Sequence, residues 1–579
     1  MRRLSELMLV AVAVCGLGCP PVENPTDGGV DAGPEVCVTF PERFPADTTV
    51  PKGCYLALKS PVISAGVTVT LLAGTRVVFS AGTEFAFTAD QALTAVGTAD
   101  EPIVFTGAMP TRGFWKGLAF ENTSRVSTLA FVTVEYAGDT VADRDAAAVK
   151  LTSDSRGVRV AMTNSTLRES EGWGLWANGA AVISAFANNT FTHNTLGPAS
   201  LDAEVVGVLD VASVFSGNDV DRLFVRGMRV STSATWPAID VPYFLSTDLA
   251  ISTADLTLAP GVSLVMAPGV AITVSSAAGA LIAAGTAEKP ILFTGATQTR
   301  GAWEGIVLDG SNHTRNVLRY ATIEYAGNVT VDRDSAALKL IADSRGVQLR
   351  LDHVTLRQSQ GWGLFLTGSA VLPEFTGNVF TQNALGPALV DSNVAHLLDV
   401  TSTYTGNDVD KVAVQGNAIR AAVTWKALGV PYHVTATIDP DLVWTIAPGV
   451  TLEMAAQTSL RISGDAAGLH AVGTPTLPIV ITGLTKTRGS WDGIMFDGTL
   501  NGANAFEYCT IEYGGGGGRF GWNGMINAQS DSHGVTMSVT NSTVQHSLLW
   551  GIWVGHYGTG SVSGNTYADN AGGDYFHAP

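Results

Sequence analysis

One block of sequence returns at intervals of 188 residues. Pro-Ile, two hydrophobic residues, Thr and Gly begin at Pro102, Pro290 and Pro478 (102 + 188 = 290; 290 + 188 = 478). Thr-Arg-Gly-x-Trp-x-Gly follows each time, with its tryptophan at Trp115, Trp303 and Trp491. A chain that repeats itself must offer each copy surfaces that fit the next copy. That requirement favours an array over a globular enzyme.

Further landmarks recur in the same order. They are Glu135-Tyr136, Glu324-Tyr325 and Glu512-Tyr513, then Trp173, Trp362 and Trp550, each before a glycine. An Asn-x-aromatic-x-x-Asn unit closes the series at Asn189/Phe191/Asn194, Asn378/Phe380/Asn383 and Asn565/Tyr567/Asn570. On this basis copy one spans 55–242, copy two 243–431 and copy three 432–579, the last without its final segment. Inside copy one, short alternating apolar stretches start near Leu93, Leu118, Val149, Leu175, Leu201 and Leu223, each closed by Gly, Asn, Asp or Ser. No apolar pattern of helical period persists beyond a turn or two. Strands at this spacing predict one solenoid coil per step, seven or eight coils per copy, and roughly 20 coils at ~4.8 Å in a rod on the order of 100 Å long.

Composition agrees. The chain is 46% hydrophobic but only 15% charged, with 64 Gly. Such a mixture suits strands and tight turns. A net charge of -18 supplies no basic stripe for nucleic acid and opposes binding to anionic lipid headgroups. No phosphate loop, nucleophile elbow or cofactor motif occurs, and the ten histidines do not gather at metal-ligand spacing. We therefore expect no cofactor and no metal.

The strings Gly285 to Gly295, Arg300 to Ile306 and Tyr320 to Ala326, with Leu258-Ala-Pro-Gly-Val before them and the Asn-x-Phe-x-x-Asn coil after, resemble bacterial right-handed parallel β-helix surface proteins. The resemblance covers about residues 51 to 575. It implies an all-β, right-handed parallel β-helix of three tandem copies. Many β-helix proteins degrade polysaccharides, but the Gly-His-Gly and Arg-x-Lys motifs of pectin-degrading hydrolases do not occur here.

The N-terminus resembles a bacterial lipoprotein signal. Arg2 and Arg3 precede an apolar run, Leu7 to Val14, too short to span a bilayer, and Gly16-Leu17-Gly18-Cys19 follows. The family pattern has leucine three residues before the cysteine, where this chain has Gly16. The reading is a signal over 1–18, a lipid anchor at Cys19, and a flexible acidic tether over 19–35. It implies a bacterial cell-envelope protein, an outer-membrane lipoprotein exposed at the surface or facing the periplasm, touching membrane only through its anchor. Segment 36–54 is expected to cover one end of the rod. A disulfide between Cys37 and Cys54 would close a short loop there, worth about 3 kcal/mol. Cys509 replaces Val132 and Ala321 of the other copies and reads as a small core residue. At the far end, Gly572 to His577 is expected to form a short cap.

Two sets of candidate site residues stand out. Alternation turns Leu175 and Ala177 inward and Trp176 outward. Phe365 and Trp553 hold the same phase in the other copies. Exposed rings suit stacking on sugars or anchoring a protein partner. A covering loop would remove that role. The second set is Asp143-Arg144-Asp145, repeated as Asp332-Arg333-Asp334 and replaced in copy three by Gly514 to Gly518. On a strand, carboxylates at i and i+2 would face one side about 6.5 Å apart, within the range of inverting glycosidases. A solvated turn is the plainer reading. The leading expectation is non-catalytic binding of a polysaccharide or surface protein. A carbohydrate-active enzyme and a structural adhesin stalk are the alternatives.

Overall fold

The computed structural model describes residues 36–579 apart from 155–156, 228, 330–333, 417 and 530–532. The signal, Cys19 and the tether lie outside the described residues, as does Asp332. The described chain is a parallel β-helix. Short strands stack coil on coil, and their pairings are parallel, as at Val104↔Arg76, Val149↔Leu175 and Leu292↔Ser263. Helical structure among the described residues is limited to 3-10 turns at Val206–Val208, Ala395–Leu397 and Gly516–Phe520. No helix there is long and apolar enough to cross a membrane.

Alternation fixes which side of each strand is buried. Leu118, Val149, Leu175 and Ala199 pair in register and stand at 0–1% exposure, making one inward row. Such rows merge into one apolar core running from Phe40 to Val554. The rhythm read from sequence mixed two faces, because Leu93 belongs to a different sheet from Leu118.

The repeated motifs hold the coils together. Trp115, Trp303 and Trp491 are fully buried under their turns. Each indole Nε1 donates to a backbone carbonyl of the Glu-Tyr pair, Glu135 at 2.9 Å, Glu324 at 2.8 Å and Glu512 at 3.0 Å. The carboxylates of these glutamates tie neighbouring coils. Glu135 accepts from Thr106 and Arg168, and Glu324 from Thr294 and Arg357. The glycine two residues after each tryptophan is dictated by space as well as by φ. A Cβ at Gly117 (φ +113) or Gly493 (φ +123) would lie 2.5 Å from the carbonyl oxygen of Ala147 or Met525 in the next coil. Buried asparagines stack between turns: Asn194 Nδ2 donates to Leu167 O and Asn218 Oδ1, and Asn383 repeats this with Leu356 O and Asn407.

Segment 36–54 is itself a coil. It pairs on three faces, at Val38↔Tyr55, Arg43↔Val62 and Thr48↔Val69. Phe40 and Phe44 close the core end against Phe85. Cys37 and Cys54 form a disulfide with Cα atoms 4.4 Å apart. At the other end the expected cap is a strand: Gly573–His577 pairs in parallel with Trp550–Val554.

The copies are not stacked in the same orientation. A twelve-stranded sheet contains Gly117–Glu121 of copy one and Ile291–Gly295 of copy two, seven strand-to-strand steps apart. These are different motifs: the first follows Trp115, the second is the Pro-Ile strand. A fourteen-stranded sheet joins Gly305–Asp309 to Ile479–Gly483 in the same way. Each 188-residue copy therefore runs seven coils and one further face. Equivalent side chains turn to a new side of the rod with every copy. No break interrupts the sheets where the copies meet, since Leu223 pairs with Tyr243 and Val412 with Tyr432.

Candidate functional site: an outer trough repeated with different linings

The three aromatic residues face outward, as alternation predicts, yet they are not exposed platforms. Trp176 and Phe365 are each 7% exposed. Cations cover the first ring: Lys150 Nζ lies 5.1 Å and Arg226 Cζ 4.0 Å from the Trp176 centroid. Phe365 packs with Leu389, Ala413 and Ala336 in a small cluster outside the main core, under Lys339. Trp553 is half-buried and stacks on Phe576 at 6.0 Å. Sequence alternation gives direction but not cover, because neighbours from the next coils supply the cover.

The acidic pair also differs from its strand reading. Residues 139–146 form a loop and turn. Asp139 Oδ1 accepts from the N–H groups of Val141 and Ala142, and Asp143 Oδ1 from the N–H of Asp145 at 2.9 Å. The second oxygen of Asp143 is ion-paired with Lys150. Asp145 is exposed, and Asp334 is exposed in a turn. The two carboxylates thus serve a turn and do not form a matched pair.

That loop nevertheless roofs a trough of about 250 Å³ on the outer face of copy one. Small residues line the floor, among them Ala119, Ala146 and Ala147. Glu84, Lys116, Asp143 and Lys150 supply charge around it. Burial pushes the Glu84 carboxyl up, with Lys116 pulling it back. Burial also works to raise Asp143, but the bonds from Lys150 and the Asp145 N–H outweigh it and hold that carboxyl below its ordinary value. Beside Lys150, two buried donors have no hydrogen-bond acceptor, Trp176 Nε1 and Arg226 Nε.

Register finds the equivalent outward row in the other copies. Ala86, Ala119, Lys150 and Trp176 form one outward row in copy one. Thr273, Val307, Lys339 and Phe365 form it in copy two, and Arg461, Met495, Asn527 and Trp553 in copy three. In copy three the roof is the turn Gly516–Phe520 and the residues after it. A cavity of about 230 Å³ there is lined by Met495, Asp497, Phe520, Trp522 and Gln529. Sequence reasoning passed over Glu84, Lys116, Lys150, Arg226, Arg461, Phe520 and Trp522. The available signal was their variation: Glu84, Ala271 and Ser459 are equivalent, as are Lys116, Glu304 and Asp492.

Among the described residues no group of three or more His, Cys, Asp or Glu is arranged to hold a metal ion. The thiol of Cys509 is buried and pushed up to about 12, chiefly by that burial. No protein family, curated protein or solved structure matches the chain.

Proposed function

We propose that this is a lipid-anchored cell-envelope rod that binds glycans or partner proteins, without catalysis, in its outer troughs. The observation that carries the reading is the recurrence of one outward row with three different linings, with a cavity lying on it in copies one and three. The inward rows keep their apolar character from copy to copy, as packing demands. The outward row changes from Ala-Ala-Lys to Thr-Val-Lys to Arg-Met-Asn at constant backbone register. Variation on a concave, partly polar surface is what different ligand contacts on one scaffold require.

The test uses the exported full-length protein on glycan arrays and in pull-downs from envelope extracts. Glu84→Gln with Lys116→Gln should weaken capture about tenfold, as loss of one or two charge-assisted hydrogen bonds would. Capture equal to wild type, or none by wild type, defeats the reading. The anchor is tested separately: Cys19→Ser should move the protein from the membrane to the soluble fraction, and retention would refute lipidation.

A specific feature favours one second reading, a carbohydrate-active enzyme. Glu84 is shifted up and Asp143 down within one trough, the separation an acid and a base require. Release of reducing ends or unsaturated products from a polysaccharide panel, lost in Asp143→Asn, would replace the binding reading.

A further inference from the structure

We infer that the copy-three trough is a subsite for one pyranose ring of a neutral polysaccharide, with Phe520 as its stacking face. The inference rests on the binding reading above and adds the ligand class and the residues.

The argument begins with the glycine run, which in sequence is only the loss of Asp-Arg-Asp. Gly515 (φ +91) and Gly521 (φ +80) take left-handed conformations on either side of the 3-10 turn Gly516–Phe520. A Cβ at Gly516 would lie 2.6 Å from Gly489 O. The run therefore lets the turn lie against the coil and carry two aromatic residues onto its outer face. Trp522 is 7% exposed, while Phe520 is 50% exposed, with ring centroids 5.9 Å apart. Trp522 is the buried ring of the pair and Phe520 the half-exposed one.

Polar groups surround that ring. Arg461 Cζ lies 5.3 Å from the Phe520 centroid and 5.8 Å from that of Trp522. Its Nε is buried with no acceptor. Asp497 and Gln529 line the cavity beside the ring. Asn527, fully buried, donates to Met495 Sδ and Gln529 Oε1 and so helps set the wall. One exposed aromatic face with a carboxylate, an amide and a guanidinium around it suits a sugar, which is apolar on its ring faces and rich in hydroxyls at its rim. A cavity of about 230 Å³ is below the ~300–1,000 Å³ of pockets that enclose a whole small ligand. It suits one ring of a chain that continues across the surface. Neutral sugars are favoured because Asp497 and the net charge of -18 oppose an anionic polymer.

The experiment is affinity electrophoresis of the full chain through gels containing laminarin, dextran, galactan or polygalacturonate. Wild type should be retarded by at least one neutral polymer. Phe520→Ala should weaken that retardation about tenfold, and Gln529→Ala should weaken it less. Unchanged circular dichroism would show that the fold persists. Retardation insensitive to Phe520→Ala but lost in Glu84→Gln/Lys116→Gln overturns this subsite and leaves the binding reading standing. Retardation by polygalacturonate alone overturns the neutral-glycan assignment. No retardation in any gel removes the subsite, while the protein-partner arm of the broader reading is judged by its own pull-down.

Discussion

At the scale of single residues, the motifs that reveal the repeat are packing devices, and their chemistry explains why they recur. Trp115 is the clearest case. It is fully buried, stacks on Phe79 with centroids 4.1 Å apart and planes 2° from parallel, and gives its only polar hydrogen to Glu135 O. Trp115→Phe keeps most of the ring but leaves that carbonyl without the indole donor, so it should cost about 1 kcal/mol. Trp115→Ala also opens a cavity and should cost ~3–5 kcal/mol. Urea unfolding followed by circular dichroism reads both, and equal losses would show that the ring retained by phenylalanine adds nothing beyond the hydrogen bond that both variants lose. Sequence made these residues legible because inward positions are constrained by the same neighbours in every copy. The outward residues were harder. Trp176 was correctly turned outward by alternation, but Lys150 and Arg226, which cover it, come from strands 26 and 50 residues away (176 - 150 = 26; 226 - 176 = 50). Nothing local in sequence announces that contact.

At the scale of the element, each coil depends on the ones above and below it, so the ends have half the support. The first coil compensates with the disulfide and with Phe40 and Phe44 packed on Phe85. In a solenoid, stability is close to a sum of coil and interface terms. Reducing the Cys37–Cys54 bond should therefore loosen the end rather than the whole rod. A loop of this length contributes about 3 kcal/mol on the chain-entropy estimate. Hydrogen exchange after dithiothreitol treatment should rise over about residues 36–71, which include the strands that the first coil pairs with, and stay unchanged in copies two and three. A uniform rise along the chain would mean that the rod unfolds as one unit. The coil rhythm explains why sequence located strands better than faces. Turns of unequal length move a strand such as the one beginning near Leu93 onto another sheet, although its apolar spacing looks the same.

At the scale of the whole molecule, the 188-residue spacing combines a length and a rotation. Seven coils carry the chain along the axis, and the extra face turns each copy relative to the one before. The equivalent outward rows of the three copies therefore face different sides of the rod. A polymer lying straight along one side would meet one of them, while a ligand or partner that wraps the rod would meet more. The same geometry makes a strong demand on deletions. Excising residues Ile103 through Pro290 removes one full spacing and joins Pro102 to Ile291. Val104, Phe105, Thr106 and Gly107 are then replaced by Leu292, Phe293, Thr294 and Gly295 above the strand Arg76–Phe79, in the register that Val104↔Arg76 and Leu292↔Ser263 already define. The remaining chain rotates as a body to meet that strand, and no inward row is broken. Such a variant should be soluble, keep its strand signal, and lose about 35 Å of maximum dimension by small-angle X-ray scattering, at ~4.8 Å per coil. Excising one residue fewer, Ile103 through Lys289, should give aggregated or partly unfolded protein, because the one-residue slip puts every inward position of the joined strand where an outward one stood. If both deletions fold equally well, the spacing is not the structural unit. If neither does, the copies depend on each other through more than the faces they share.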